Sequence, residues 1–106
     1  MPKAPVKLPA LEWRQQASAD LMDIVAFIAE DNPDAAQELK DEIEDKAARL
    51  PRHPKLYRRS QRVKGTREVV IRSNYVMLYR ETPELVEIVN VVHARRQWPP
   101  VRKAKP

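Results

Sequence analysis

The sequence predicts an α+β fold, in which an N-terminal strand and an antiparallel helical hairpin pack on an antiparallel sheet of three to four strands. Residues 66–93 are rich in strand-forming side chains and are interrupted only by short polar turns, which is typical of a meander. Residues 18–50 instead carry apolar side chains at helical spacing. A chain of 106 residues is long enough for one small domain with a single core.

Two helices are predicted, with a short junction between them. Ser18 is a favourable N-cap for the first helix, and Asn32 followed by Pro33 is favourable for the start of the second. The apolar stripes are Leu21, Ile24, Val25 and Ile28 in the first helix and Ala36, Leu39, Ile43, Ala47 and Leu50 in the second. Because the junction is so short, the helices are expected to form an antiparallel hairpin.

The strands are predicted over residues 8–14, 66–72, 75–80 and 85–93. The last of them is a nearly continuous run of valine and isoleucine, which indicates that both of its faces are covered. Gly65 is the only glycine, so it is expected to supply an unusual backbone angle or a close approach. Residues 52–64 have no apolar period and are predicted to be an exposed loop.

Charge is distributed unevenly along the chain. Residues 15–50 hold ten acids and three bases, whereas residues 51–80 hold nine bases and the single acid Glu68. Such asymmetry favours an acidic partner or a nucleic acid on the side of the sheet. The alternative interpretation is that the charges are merely solvated.

Several classes of protein are disfavoured by composition. There is no cysteine, which excludes disulfides and thiol chemistry, and the two histidines belong to no metal-ligand motif. The sequence has no glycine-rich phosphate loop, so no cofactor is expected. No apolar run is long enough to cross a membrane, and residues 1–10 contain no apolar leader segment, which favours a cytoplasmic location.

Three segments, GTREVVI, NYVMLY and VNVVHARRQWP, follow a helical hairpin whose second helix opens with NPDAA. Together and in this order they resemble the RelE/ParE superfamily of toxins from type II toxin–antitoxin systems, and the ParE branch most closely. The resemblance covers residues 13–99 and implies a curved sheet beneath the hairpin. We therefore expect one toxin domain over residues 1–98, with residues 99–106 forming a disordered, basic, proline-rich tail.

The resemblance also implies partners. An antitoxin with a disordered acidic segment is expected to fold on the toxin and neutralise it as a hetero-oligomer. The ParE branch implies inhibition of growth by binding DNA gyrase, whereas the RelE branch implies cleavage of messenger RNA on the ribosome. A third hypothesis is an inactivated module that only binds its antitoxin. RelE-like basic positions are Arg67 and Arg95, but two others are occupied here by Val69 and Val76.

The candidate site residues follow from these hypotheses. A ribonuclease would need a base, a proton donor and cations for the phosphorane, for which the candidates are Arg67, Arg95, His93 and Tyr75. Candidates for binding the antitoxin or the target are Arg58, Arg59, Arg62, Arg67, Arg80, Arg95, Arg96 and Trp98. The structural alternative is that His93 caps the sheet, that Arg67 pairs with Glu68 or Glu87, and that the tyrosines pack in the core.

Overall fold

The computed structural model describes residues 7–95. Its elements, in chain order, are β1 (Ala10–Trp13), α1 (Gln15–Ala29), α2 (Pro33–Arg49), the 3₁₀ turn η1 (Leu50–Arg52), β2 (Arg67–Ile71), β3 (Tyr75–Glu81) and β4 (Leu85–His93). Each predicted helix and strand is present, and the predicted α+β architecture is confirmed. Arg96, Trp98 and the tail over residues 99–106 lie outside the described residues.

The sheet has the strand order β1-β4-β3-β2. The meander β2–β3–β4 is antiparallel, as predicted, whereas β1 pairs in parallel with β4, with Leu11 opposite Val86. The four-stranded sheet is therefore mixed. The β3–β4 ladder shifts register between Leu78 and Tyr79, which marks a β-bulge in the middle of the sheet.

Helix α1 begins three residues before the predicted cap. Arg14 has extended backbone angles, and its N–H still donates to Ile88 O in the sheet at 2.9 Å, so the helix starts directly where the β1–β4 ladder ends. Ser18 donates its N–H to Arg14 O at 3.0 Å and is an ordinary helical residue. The prediction of Ser18 as N-cap was wrong, because the sheet pairing of Arg14 fixes the helix start.

Helix α2 matches the prediction closely. The side-chain oxygen of Asn32 accepts from Ala35 N at 3.0 Å, and Pro33 occupies the first turn. All members of the predicted stripe are buried: Ala36, Leu39, Ile43, Ala47 and Leu50. Burial of each leucine or isoleucine stabilises the fold by roughly 1.5–3 kcal/mol.

The core lies between the helical hairpin and one face of the sheet. This face, here called the helix face, presents Val69, Met77, Tyr79 and Ile88 to the helices. The opposite, far face carries a smaller buried cluster of Val76, Leu78 and Val92, against which Val63 of the long loop packs. Residues 88–92 of β4 are all buried, in agreement with the prediction that both faces of this strand are covered.

Two turns use left-handed backbone angles. Gly65 has φ +82°, which confirms the predicted unusual angle, while a Cβ at this position would meet nothing within 4 Å. Arg72 and Ser73 have φ of 53° and 54°, and Asn74 N donates to Ile71 O at 3.2 Å. The β2–β3 connection is thus a primed turn, whose twist matches that of a hairpin.

Candidate functional site

The loop before β2 is attached to the sheet, although its sequence predicted an exposed loop. Ser60 N donates to Thr66 O at 2.8 Å and Glu68 N donates to Arg58 O at 3.1 Å, which adds a short rung along the outer edge of β2. Val63 then packs on the far face of the sheet. The basic loop is therefore held against one edge and one face of the sheet.

Glu68 organises this loop from beneath. Its side chain is only 5% exposed, and its Oε1 accepts from Nε and Nη2 of Arg58 at 3.2 and 2.8 Å. Its Oε2 accepts from Ser60 Oγ at 2.9 Å and lies 3.6 Å from Nε of Arg62. The Ser60 hydroxyl also accepts from the backbone N–H of Arg62 at 2.9 Å. A buried carboxylate of this kind is stable only when it is paired and hydrogen-bonded.

Above Glu68 lies an open depression of about 280 Å³, lined by Arg58, Arg59, Gln61, Arg62 and Glu68. We call it the arginine depression. The Nη2 of Arg62 also donates to Ala94 O at 2.9 Å. This bond holds the end of β4, and with it the exposed Arg95, beside the basic loop. The fold thus brings together three predicted binding residues, Arg58, Arg59 and Arg62. Arg95 directly follows Ala94, whose carbonyl accepts from Arg62.

The side chain of Arg67 lies apart from this group, because it is on the helix face of β2, together with Val69. Its Nε is 3.3 Å from Glu81 Oε2 and its Nη1 donates to Tyr57 O at 2.8 Å. The predicted structural alternative named Glu68 or Glu87 as its partner. The carboxylate that pairs with it is that of Glu81, at the end of β3.

Arg80 is exposed and lies opposite Glu87 in the β3–β4 register. Glu87 itself pairs with Arg14 of the β1–α1 junction, with Nε and Oε2 3.1 Å apart. Arg80 therefore lies near the end of β3 opposite to Tyr75, two residues from Leu78, the register partner of Glu68, and it does not line the arginine depression.

His93 and Tyr75 form a pair at the other end of the sheet. They are register partners, and their rings meet edge to face with centroids 5.4 Å apart and planes at 75°. His93 Nδ1 accepts from Arg95 N at 3.2 Å. Tyr75, His93 and Arg95 are thus close together, in an arrangement that also caps the end of β4.

The four ribonuclease candidates do not form one constellation. Arg67 is the register partner of Tyr79, four residues along β3 from Tyr75. At about 3.3 Å per residue, these two positions are roughly 13 Å apart. If a phosphate were in direct contact with the His93–Tyr75 pair, Arg67 would therefore be too far along the sheet to contact it as well.

Tyr79 is fully buried in the core, as the structural alternative predicted for a strand tyrosine. Its hydroxyl donates to Pro54 O at 2.7 Å, and its ring meets Tyr57 edge to face at 6.5 Å. Burial raises the pKa of Tyr79 to about 12, although the nearby Arg67 charge acts in the opposite direction. This residue anchors the start of the loop and stays neutral near physiological pH.

Three residues hold the arginines of the loop and of β2 in place, but their partners were not predicted from the sequence: Glu68, Ser60 and Glu81. For Glu68 a signal exists, because it is the single acid among nine bases in residues 51–80. An isolated acid in a basic segment has many possible partners, and the one predicted from the sequence was its chain neighbour Arg67. Its actual partner, Arg58, is ten residues away and becomes adjacent only through the loop rung.

Within residues 7–95, no cluster of three or more histidine, cysteine, aspartate or glutamate side chains could hold a metal ion. In the same part of the chain, no helix has the length and apolarity needed to cross a membrane.

The family model described as "ParE toxin of type II toxin-antitoxin system, parDE" matches residues 11–98, which include both helices and all of the sheet except the first residue of β1. The chain belongs to the ParE family of type II toxins. The matched range begins in β1 and continues past Arg95, so it contains the arginine depression and the His93–Tyr75 pair.

Two further similarities agree with membership of the ParE family. "Putative toxin Y4kP" from Sinorhizobium fredii is 37% identical over 92 residues, covering 86% of this chain and 94% of that protein. A solved structure titled "Chromosomal ParDE TA system from P. aeruginosa" matches with a TM-score of 0.74 at 20% identity, covering 83% of this chain and 98% of the other. The second similarity concerns the fold.

Proposed function

We propose that this ParE-family chain is a cytoplasmic toxin that inhibits growth by binding DNA gyrase, without cleaving RNA, and that a cognate antitoxin neutralises it. The observation that carries this proposal is the separation of Arg67 from the His93–Tyr75 pair along the sheet. A binding inhibitor does not require these residues to converge, whereas a ribonuclease does.

The chemistry of RNA cleavage adds support. In the phosphorane formed by attack of a 2′-hydroxyl, negative charge must be stabilised by cations aimed at it. Arg67 is already engaged by Glu81 and by the Tyr57 carbonyl. At the two other RelE-like basic positions, Val69 and Val76 are buried apolar residues of the sheet.

For the antitoxin, we propose a contact with α1. Phe27 is 73% exposed and Met22 is 53% exposed. Both lie on α1, whose only acids are Asp20 and Asp23. Large apolar side chains left in solvent are typical of interaction surfaces. A disordered antitoxin segment that folds across α1 would bury them and form the hetero-oligomer expected of a toxin–antitoxin pair.

A RelE-like ribonuclease is the second candidate, and one observation favours it. Tyr75, His93 and Arg95 lie together, which would supply a proton donor, a base and a cation at one end of the sheet. In this case catalysis would proceed without Arg67. The third hypothesis, an inactive module that only binds the antitoxin, predicts that neither gyrase nor RNA is affected.

An assay with purified components tests the proposal. The toxin is added to gyrase, relaxed plasmid and ATP, and supercoiling is measured with and without antitoxin. We expect inhibition by the wild-type chain, equal inhibition by the double variant His93→Ala/Tyr75→Phe, and relief by antitoxin. Full supercoiling at saturating toxin would contradict gyrase binding. The ribonuclease would be favoured if the wild-type chain cleaved messenger RNA in the presence of ribosomes and the double variant were no longer toxic in cells.

A further inference from the structure

The arginine depression has the features of an anion-binding site. It gathers three arginines and Gln61 around an open space of about 280 Å³ on the far-face side of the sheet. We propose that it binds the phosphodiester backbone of a nucleic acid, with Arg58 and Arg59 as the principal contacts. This site is additional to the proposed gyrase contact, and its test uses neither gyrase nor growth.

Arg58 is positioned in advance for such a contact. Its Nε and Nη2 donate to Oε1 of Glu68, so one edge of the planar guanidinium is fixed by a buried carboxylate. Its side chain is nevertheless 76% exposed, so its other N–H groups remain accessible to a ligand. A guanidinium held by one edge presents its fork to phosphate oxygens with little further loss of side-chain entropy.

The charge in the depression remains positive after its internal pairing. Glu68 offsets one of the three arginines, and both of its oxygens are already occupied by Arg58, Ser60 and Arg62. Arg59 is exposed and has no ion pair within residues 7–95. The five lining residues therefore carry two net positive charges.

The lining favours phosphate over an acidic peptide. All five side chains that form the depression are polar or charged. A peptide that folds on binding needs apolar contacts to offset its ordering entropy, whereas a phosphodiester is recognised by charge and hydrogen bonds alone. Gln61 adds a neutral side-chain amide, whose N–H groups can donate to a phosphate oxygen. Phe27 and Met22, which are exposed and apolar, lie on α1, whereas the exposed Leu56 and Val70 are two positions from Arg58 and Glu68 in the chain but do not line the depression.

Fluorescence anisotropy of the purified toxin with short labelled duplexes tests the proposal, with salt varied between about 50 and 200 mM. The test variant is Arg58→Gln/Arg59→Gln. The matched control is Arg49→Gln/Arg52→Gln, which removes the same charge at the end of α2 and in η1, next to β1 and β4 on the opposite side of the sheet. Arg59→Gln alone is the second test variant, because Arg59 has no ion pair in the described residues and its loss leaves Glu68 paired.

We expect salt-dependent binding by the wild type. Two lost phosphate contacts lower the slope of log affinity against log salt by about 1.8, at about 0.9 per contact, and weaken binding roughly tenfold at low salt. Arg59→Gln lowers the slope by about half as much, and the control leaves it unchanged. Parallel titrations with DNA and RNA duplexes identify the source of the backbone, and binding of either supports the site.

Three results would overturn the proposal. The first is no binding to any duplex at the lowest salt concentration. The second is an equal loss of affinity in the test and control variants, which would mean that only net charge matters. The third is tighter binding of a labelled polyglutamate peptide than of the duplexes, which would assign the depression to an acidic protein segment.

Discussion

The guanidinium of Arg67 lies 3.3 Å from the carboxylate of Glu81, and the two side chains are only 13% and 19% exposed. The pair joins the start of β2 to the end of β3, and Arg67 also donates to the Tyr57 carbonyl of the loop. A cation bound in this way stabilises the fold and is not free to approach a phosphate. This pairing supports our proposal that Arg67 takes no part in RNA cleavage.

Replacement of Arg67 should therefore reduce stability. Arg67→Gln leaves the Glu81 carboxylate and the Tyr57 carbonyl without their donor, and we expect a loss of about 1–3 kcal/mol in the free energy of unfolding. Urea denaturation measures it. Arg49→Gln, which breaks the exposed pair with Asp45, is the control and should cost less than about 1 kcal/mol. Equal losses would mean that the Arg67 pair is only a surface contact.

Asp20 should be a second important residue for stability. Its Oδ2 accepts from Val91 N at 3.0 Å and from Asn90 Nδ2 at 2.9 Å, so it satisfies donors of β4 beyond the end of β1. Asp20→Ala is expected to cost about 1–3 kcal/mol, because these donors are left unpaired in a mostly buried position. The exposed Asp23→Ala on the same helix is the control. Similar urea midpoints for both variants would contradict this role.

Ionisation of the Tyr79 hydroxyl is expected to destabilise the protein at high pH. Its pKa is raised to about 12 in the folded protein, compared with about 10 for an unfolded tyrosine. The folded state therefore holds this proton more tightly, and its contribution is complete below about pH 10 and is lost as the pH rises through about 12. Denaturation measured across this range should show a steeper decline for the wild type than for Tyr79→Phe. Parallel curves would mean that Tyr79 does not titrate differently on folding.

Phe27 should matter for binding and not for folding. Since its ring is mostly exposed, Phe27→Ser is expected to change the free energy of unfolding by less than about 0.5 kcal/mol. It should weaken antitoxin binding by roughly tenfold or more, if the antitoxin covers α1. Calorimetric titration with the antitoxin measures this effect. Ala48→Ser, at an exposed position of α2, is the control, and equal affinities for both variants would place the antitoxin elsewhere.

Local patterns predicted the helices and strands well. The apolar stripe of α2 and its Asn32 cap depend on residues three or four positions apart, so both can be recognised within a short stretch of sequence. The start of α1 was predicted incorrectly because Arg14 is held by Ile88, 74 positions away. The parallel direction of β1 is non-local in the same sense, since alternation along a strand does not depend on the direction of its neighbour.

The arginines of the candidate site stand out in the sequence, but the way the fold groups them does not. The candidate arginines are visible as a basic run, yet their partners are carboxylates brought near by strand pairing. Glu68 lies under Arg58, while Arg67 turns to the other face and pairs with Glu81. A change of one residue along β2 moves a side chain from one face of the sheet to the other, and the run of bases carries no sign of which face each will join.

The most direct test of the central claim is a pulse-labelling experiment after induction of this chain alone in cells. Incorporation of labelled thymidine and labelled methionine is followed at the earliest times after induction. The account predicts that DNA synthesis falls first, with induction of the DNA-damage response, while protein synthesis continues. An early fall in protein synthesis, with new 5′ ends inside translated messages, would contradict it and assign the chain to RNA cleavage.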